Sequence, residues 1–534
     1  METDTNNRSR RIKWIAGTLI GVAAVVLGMI ILINSVVEPY LEDRLKTEFG
    51  IISEQDASLQ ISELDVGLFP PSVVIEGMFL APGLEASDRL KNHPVLGSKI
   101  ESISVSGISL WGFLTGGNIM VRETEISGAE LHFSPGLFDR FSGSGQSSDD
   151  NSRSVKLNSL TLSDASLSIY REDLSSVKTQ VTELDLSVSG LNLSSGNVDM
   201  ADRFEHFSFG IDSVSHTTGD GYYRVELDRV SFNSESGNLI TEGFNLEPQL
   251  SARELPLRIG HEIDHIEITS GSVDLKNLDI NAWLNDDRVR AESITVEDPE
   301  VKISRDKSPP DKPLKKKLLL NAQFARLPVS VSLDTLTVRN GFISYREWKE
   351  EQDTSGTLFF DSIEVVMTGI QNTDPDQTIK AEVSTLFMNE SKLSVGFDFT
   401  LNDNGAQTIT GQMEGLDLLK LNPVLGPLAF VRIERGVIHS LAFNFELNET
   451  FAAGKFMCLY DDFSMSLLSK NSLEPSVGKK IVSFLANNIQ IQSSNREPDP
   501  RTGEIFLEKE EGQSMVNYWW KSLQSGIKDL MQRM

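Results

Sequence analysis

Short runs in which apolar and polar residues alternate recur along most of this chain, for example at residues 73–75, 100–108, 225–232 and 395–401. A period of two places every second side chain on the same face of an extended strand, so each run indicates a strand with one apolar face. Gly, Asn, Asp and Ser fill the gaps between runs, as is typical of turns. After residue 49 the helical period almost disappears. The pattern predicts a mainly β protein.

One alternating pattern is repeated. Residues 155–169 align without gaps on residues 331–345, and residues 266–275, 294–303 and, more weakly, 126–133 fit the same frame. Two turn-forming residues interrupt each copy, in that order Asp-Ala, Asn-Gly, Ser-Gly, Asp-Pro and Gly-Ala. Two-residue turns of this kind favour β-hairpins, which any β protein contains, but the gapless match favours a true repeat. We therefore predict a loose, elongated array of repeated antiparallel hairpins.

The N-terminal region predicts a membrane anchor. Basic residues at positions 8–13 precede an apolar run at 14–33, and a run of about 20 residues forms about 30 Å of helix, which matches a bilayer core. A cleaved signal peptide is the alternative, but its apolar region is shorter and residues 34–37 offer no small-x-small cleavage site. Because basic residues favour the cytoplasmic side, we predict a single transmembrane helix at 14–37, with the later chain outside the cytoplasm.

The last residues predict a helix. At helical spacing, one side of 514–534 carries the apolar residues Val516, Trp519 or Trp520, Leu523, Ile527 and Leu530. The opposite side carries Asn517, Lys521, Gln524 and Lys528. An amphipathic helix with paired tryptophans is typical of a membrane interface, which makes Trp519 and Trp520 the candidate interface residues. Docking of this helix on the protein's own sheet is equally consistent with the pattern.

Charge and cysteine content exclude several functions. The formal net charge is −28, whereas a nucleic-acid-binding protein needs basic residues to displace the counterions of the phosphates. The acidic balance also disfavours nonspecific adsorption to an anionic lipid surface. Cys458 is the single cysteine, so neither an intramolecular disulfide nor a thiolate metal site can form.

One segment matches a catalytic motif. Residues 261–265 read His-Glu-Ile-Asp-His, which matches the H-E-x-x-H motif of zinc metalloproteases. In that motif the two histidines lie one helical turn apart and bind zinc, and the glutamate acts as the general base. Here Gly260 precedes it and β-branched residues follow, which predicts a strand, where residues four apart stand about 13 Å from each other. We found no coherent nucleophile, nucleotide-binding or metal-binding motif elsewhere. The sequence therefore predicts no metal, no cofactor and no enzymatic activity.

The order of segments resembles the AsmA-like family of bacterial envelope proteins. Residues 61–85 and 98–136 are similar to the amino-terminal module of that family, and residues 411–448 with 454–468 are similar to its carboxy-terminal module. The central part, at about 200–310, matches only as general β sequence. The predicted segments are a cytoplasmic stub 1–13, a transmembrane helix 14–37, an N-terminal AsmA-like module 38–141, a loop 142–154, a central β-repeat region 155–304, a Pro/Lys linker 305–327, a C-terminal AsmA-like module 328–490 and a C-terminal segment 491–534 with the amphipathic helix.

The resemblance implies a bridge-like lipid carrier. Such proteins hold a long, strongly bent β-sheet with an apolar inside, are anchored in the inner membrane, and extend into the periplasm. The implied partners are phospholipid acyl chains, the inner membrane through 14–37, and the outer membrane or one of its proteins through the C-terminal helix. The implied function is phospholipid transport and outer-membrane homeostasis.

Physical chemistry supports part of this hypothesis independently. Apolar surface left in water costs about 25 cal/mol per Å², so one-sided strands must close on each other, pair with a partner or bind an apolar ligand. Strand parity nominates the inward positions Leu160, Leu162, Leu167, Ile169, Leu336, Val338 and Ile343 as lipid-groove residues. An ordinary core would use the same residues. The rival hypothesis is therefore a structural or regulatory scaffold for outer-membrane protein assembly.

Overall fold

The computed structural model describes residues 42–43, 57–82, 97–109, 118–133, 155–171, 175–193, 200–286, 288–310, 318–349, 353–374, 376–401, 406–469 and 492–532. Strands account for 64% of these residues and helices for 14%, which confirms the mainly β fold. The predicted stub 1–13, transmembrane helix 14–37 and loop 142–154 lie outside the described residues. The chain divides into two compact units, Met1–Val214 and Ser215–Met534.

The first unit is built from long strands. They are β1 (Ala57–Leu68), β2 (Pro71–Pro82), β3 (Ser98–Ser106), β4 (Ile119–Phe133), β5 (Val155–Tyr170), β6 (Val177–Asn192) and β7 (His206–Thr217), whose last residues belong to the second unit. β1 to β4 pair antiparallel in chain order, and β5 pairs antiparallel with β6. β4 and β5 are parallel. The expectation of a wholly antiparallel sheet was therefore wrong, because β5 begins at Val155 beside Ile119, the first residue of β4, and runs in the same direction.

The second unit holds β8 (Tyr223–Asn233), β9 (Asn238–Thr241), β10 (Gly243–Pro248), β11 (Asp264–Ser270), β12 (Ser272–Lys276), β13 (Arg288–Glu297), β14 (Glu300–Asp306), β15 (Ser330–Trp348), β16 (Ser355–Gln371), β17 (Thr378–Phe387), β18 (Ser391–Thr400), β19 (Gln407–Met413), β20 (Leu416–Asp417), β21 (Val431–Leu447), β22 (Phe451–Leu467) and β23 (Thr502–Glu508). Its α-helices are α1 (Glu254–Ile259), α2 (Ile280–Asp286), α3 (Leu320–Phe324), α4 (Asn422–Ala429) and α5 (Met515–Gln532).

Pairs of short strands lie end to end in the first half of this unit. β9 and β10 both pair with β8, then β12 pairs with β9 and β11 with β10. β13 pairs with β12 and β14 with β11, and both run parallel to the single long strand β15. From β15 onward, β16, β17, β18, β19, β21, β22 and β23 pair antiparallel in that order.

The repeated sequence units are not hairpins, so this part of the prediction was wrong. In β4, β5 and β15 the two turn-forming residues lie inside one continuous strand. In the other two copies they separate β11 from β12 and β13 from β14, and these neighbours pair with other strands rather than with each other. Only one residue of the pair has a positive φ, 51° at Asp164 and 52° at Asn340. A type I′ hairpin turn requires two such residues, whereas one produces a bulge that bends the strand.

The repeat itself corresponds to a recurring structural module. In the first unit β4 pairs parallel with β5 and β5 pairs antiparallel with β6. In the second unit β13 and β14 together pair parallel with β15, which pairs antiparallel with β16. Residues with positive φ occupy matching positions in the two modules, namely Gly128 and Asp298, Asp164 and Asn340, Glu183 and Ser362, and Gly190 and Gly369. Because the bends occur at matching positions, equivalent side chains share a face in both modules.

Within the described residues, the buried apolar cores lie in the second unit. The larger core joins the inner side chains of β18 to β23 to α5 and includes Phe445, Ile505 and Tyr518. The smaller core is centred on Ile379 and includes Phe324 of α3. These helices therefore cover parts of the sheet face.

Helix α5 closes the last strand. It confirms the predicted helix, but the predicted face was partly wrong, since Val516 is 68% exposed while Tyr518 and Ser522 are fully buried. The helix approaches closely because glycines meet there: a Cβ on Gly503 would lie 2.0 Å from the carbonyl oxygen of Gly526. Glycines therefore allow α5 to approach β23 closely, while Tyr518 and Leu530 fill the core beneath it.

Candidate functional site

A continuous apolar row crosses the first unit. We define row A as the register-matched residues Leu64, Ile75, Ile103, Ile126, Leu162 and Leu186, one from each of β1 to β6. Residues paired in register point to the same face of a sheet. The neighbouring row of Val66, Val73, Val105, Thr124, Leu160 and Val188 is nearly as apolar. The same face of the sheet is therefore apolar across all six strands.

The opposite face of these strands is polar. Its register-matched residues next to row A are Asp65, Val74, Ser104, Glu125, Thr161 and Ser187. Side chains on this face also bond across strands, as Ser102 Oγ does with Ser127 Oγ at 2.9 Å. The acidic residues of this row, Asp65 and Glu125, thus lie on the side away from row A.

Row A is only partly covered. Leu64 and Ile75 are buried, but Ile103, Ile126, Leu162 and Leu186 are half-buried. In the described part of this unit beyond residue 56, the 3-10 turn Met200–Arg203 is the single helical element. Neither of the two apolar cores includes a residue of row A. This face can therefore accept additional apolar contact.

A longer row crosses the second unit and is largely covered. Row B consists of Phe232, Leu239, Leu275, Ile294, Leu336, Met367, Ala381, Phe397, Ile409, Phe445, Gly454 and Ile505. Its later residues belong to the larger core beneath α5, and Leu275, Ile294, Leu336 and Met367 pack against the smaller core. Most of row B is therefore ordinary protein interior.

A third row lies beyond the bends and is open. Row C consists of Val225, Leu246, Ile268, Val301, Ile343, Phe360 and Phe387. Ile343 is 37% exposed, and the other members are half-buried. Among the described residues, Phe387 is the one member that packs against either core. Row C thus resembles row A in being apolar and incompletely covered.

The sequence-predicted groove residues fall on these faces. Leu160, Leu162, Leu167 and Ile169 lie on the apolar face of β5, because the bulge at Asp164 restores the alternation between Leu162 and Leu167. Leu336, Val338 and Ile343 share a face of β15 in the same way across Asn340. Leu336 packs against the smaller core, whereas Ile343 is exposed. Their role in lipid binding stays a prediction.

The sequence did not identify the residues on other strands that align in register with these positions. Leu64, Ile75, Ile103, Val301 and Phe360 complete rows A and C. Their own alternation was visible in the sequence, but the register between strands was not. Only pairing decides that such positions align into rows.

The structure separates the two tryptophans predicted to contact a membrane. The Trp519 ring packs against Phe397 with centroids 5.1 Å apart, so it belongs to the larger core. Trp520 is 54% exposed on the outer side of α5. Among the residues that the structure describes, no helix combines enough length and apolar character to span a bilayer.

The His-Glu-Ile-Asp-His segment is not helical. Helix α1 ends at Ile259, Gly260 caps it with a φ of 89°, and β11 starts at Asp264. His261 Nδ1 lies 2.9 Å from the Glu262 carbonyl oxygen, and His265 Nε2 lies 2.9 Å from that of Leu250. The two rings therefore interact with different backbone groups. In the described ranges, no set of three or more His, Cys, Asp and Glu residues is arranged to hold a metal ion.

Comparison of the chain with protein-family models and with curated protein sequences finds no match. The resemblance to the AsmA-like family therefore stays a prediction.

Proposed function

We propose that this protein is a non-enzymatic lipid carrier of the cell envelope, holding phospholipid acyl chains against the apolar face of a bent β-sheet groove. The observation that carries the proposal is the pair of incompletely covered apolar rows, A and C, together with the polar face opposite row A. An apolar ligand would cover the half-buried residues that these rows leave accessible.

The energetics favour an apolar ligand. Fully burying a Leu or Ile side chain contributes about 1.5–3 kcal/mol, so a half-buried one retains roughly 1 kcal/mol that a ligand can recover. The four half-buried residues of row A therefore offer on the order of 4 kcal/mol to an acyl chain that lies across them. This contact needs no specific polar group, which agrees with the lack of a catalytic motif in the sequence.

The N-terminal sequence supports the cell envelope as the location of this activity. Its basic residues followed by the apolar run at 14–33 favour an inner-membrane anchor with the sheet in the periplasm. Together with the AsmA-like resemblance, this leads us to propose a role in phospholipid transport and outer-membrane homeostasis.

The proposal is tested by photocrosslinking in living cells. A benzophenone amino acid replaces Leu162 of row A or Ile343 of row C in the full chain, and Thr161 or Ser344, their neighbours on the opposite face, in matched controls. We expect phospholipid adducts, detected by mass spectrometry, at Leu162 and Ile343 and far fewer at Thr161 and Ser344.

Folded protein that gives no adducts at Leu162 and Ile343, or equal adducts at all four positions, would contradict the proposal. The scaffold hypothesis would then account better for the chain.

A further inference from the structure

The apolar face around row C ends in charged residues. On β11, β14 and β15, the register places Ile268, Val301 and Ile343 in one row and Ile266, Ile303 and Tyr345 in the next. The following row on the same face consists of Asp264, Arg305 and Glu347, which we call the charged row. Within about 13 Å along these strands, the face therefore changes from aliphatic to ionic.

The charged row carries both signs in close contact. Arg305 Nε lies 2.7 Å from Asp264 Oδ1, and Lys307 Nζ lies 3.3 Å from Glu347 Oε1. The Tyr345 hydroxyl donates a hydrogen bond of 2.6 Å to Glu347 Oε2. Burial, with the hydrogen bond to Glu347 adding to it, raises the pKa of Tyr345 well above its usual range, so this hydroxyl stays a donor at neutral pH. Two cations and two carboxylates thus lie together in this row, and a third carboxylate, Glu262, also acts on Arg305.

This arrangement is incomplete as a purely structural cluster. Arg305 Nε is buried against Asp264 Oδ1 at 2.7 Å, but 27% of the Arg305 side chain is exposed. A guanidinium is a rigid, planar donor suited to carboxylate or phosphate oxygens. Arg305 therefore keeps hydrogen-bonding capacity at the place where the apolar face ends.

Helix α4 borders the charged row. Gly356 pairs in register with Glu347, and a Cβ at Gly356 would lie 2.4 Å from Leu428 Cγ of α4. The helix therefore lies on the same face one strand beyond Glu347. It covers this side of Glu347, which is only 8% exposed, while the Arg305 and Asp264 side chains are 27% and 39% exposed.

We propose that the charged row binds the zwitterionic headgroup of a phospholipid whose acyl chains lie on the adjoining apolar rows. Arg305 and Lys307 would bind the phosphate and Asp264, the more exposed carboxylate, the ammonium group, while the buried Glu347 positions Lys307. This inference rests on the proposed function, since it names the class of lipid that the groove prefers. A headgroup that lacks a cation would place its phosphate beside two carboxylates without compensation, so it binds less well.

The test measures which lipids the full chain takes up. Protein extracted in a membrane-solubilising copolymer is incubated with vesicles containing equal amounts of phosphatidylethanolamine and phosphatidylglycerol with identical acyl chains. The bound lipids are then quantified by mass spectrometry. We expect enrichment of phosphatidylethanolamine in the wild type, and a loss of about fivefold in that enrichment in Arg305→Gln and Glu347→Gln, because the first removes a partly exposed cation and the second removes the carboxylate that positions Lys307.

Matched controls separate charge from position. Lys302→Gln and Glu267→Gln change the same charges on β14 and β11 but on the opposite face, and both side chains are about half-exposed. They should leave the enrichment unchanged. Lys307→Gln, at the more exposed end of the site, serves if Glu347→Gln fails to fold.

The outcomes distinguish the two proposals. If the wild type binds lipid without preference, or if folded Arg305→Gln and Lys307→Gln keep the full preference, the headgroup site is wrong while the apolar groove stands. If the wild type binds no lipid at all, both are wrong.

Discussion

At the scale of single residues, isolated left-handed positions decide how each strand continues. Asp164, Glu183, Asn340 and Ser362 have φ values of 51°, 49°, 52° and 50° inside strands. One such residue shifts the alternation by one, so apolar residues on both sides of it return to the same face. Without these bends, the side chain of Leu167 would point away from the face that carries row A, and the side chain of Ile343 would point away from the face that carries row C.

Asn340 tests this role. Its N–H donates a 2.9 Å bond to Glu364 Oε1, and its side-chain amide donates a 2.6 Å bond to Asp298 Oδ1. Asn340→Val places a β-branched residue in the left-handed region, and we expect it to lower the free energy of unfolding by about 2 kcal/mol, measured from urea denaturation.

Asn340→Gly is the control for this change. It loses the side-chain bond but keeps the backbone conformation, so its cost should be about 1 kcal/mol or less. Equal destabilisation by the Val and Gly substitutions would mean that the hydrogen bonds, and not the bend, set the stability of this position.

At the scale of elements, side chains of α5 accept hydrogen bonds from backbone N–H groups along the outer edge of β23. Asp529 Oδ2 accepts a 2.7 Å bond from the Glu504 N–H, and Ser525 Oγ accepts a 3.1 Å bond from the Phe506 N–H. Two α5 residues that are four positions apart thus face the N–H groups of two β23 residues that are two positions apart. An unpaired edge is a template for addition of another strand, so α5 both covers the larger core and blocks that edge.

Removing these acceptors should promote self-association. The double variant Ser525→Ala with Asp529→Ala leaves two edge N–H groups without their acceptors, next to Phe506, which is 62% exposed. We expect a loss of about 1–3 kcal/mol in the free energy of unfolding and a concentration-dependent increase in mass by analytical ultracentrifugation.

Lys521→Ala provides the matched control on the same helix. It removes the surface ion pair between Lys521 and Glu510, which contributes little, so mass and stability should stay near those of the wild type. A double variant that behaves like Lys521→Ala would show that the edge does not depend on α5 for protection.

At the scale of the whole molecule, the described apolar cores belong to the second unit, and Cys458 reports on the larger one. Cys458 is the single cysteine and is 6% exposed within this core. Burial raises the pKa of its thiol to about 12. Because the thiolate is the reactive form, native protein at pH 8 holds almost none of it.

We therefore expect Cys458 to resist alkylation until the core opens. Pulses of iodoacetamide along a urea titration at pH 8 should label it in one transition, with at least a hundredfold slower labelling of native protein than of unfolded protein, as follows from a pKa raised by about 3 units. Raising the pH should speed native labelling by about tenfold per pH unit, and this increase should level off only as the pH approaches 12. Rapid labelling without urea would contradict a closed core around β22.

Much of the fold was predictable from local pattern. Alternation located strands such as β3, β8 and β18, and helical spacing located α5. The residues nominated on β5 and β15 do share one face of each strand. Each of these features depends on neighbours close in the chain, which the sequence displays directly.

What the sequence by itself determined is that most of the chain forms strands, which side of the strands named above is apolar, and that one unit of two apolar runs around a turn-forming pair recurs. Only the tertiary structure decided that the turn-forming pairs bend strands instead of reversing them, that β4 and β5 run parallel, and that α5 buries Tyr518 rather than Val516. It also decided that Asp264, Arg305 and Glu347 meet in one row. The physical reason is that register and docking are set by contacts between distant segments, where backbone pairing and close packing are satisfied together.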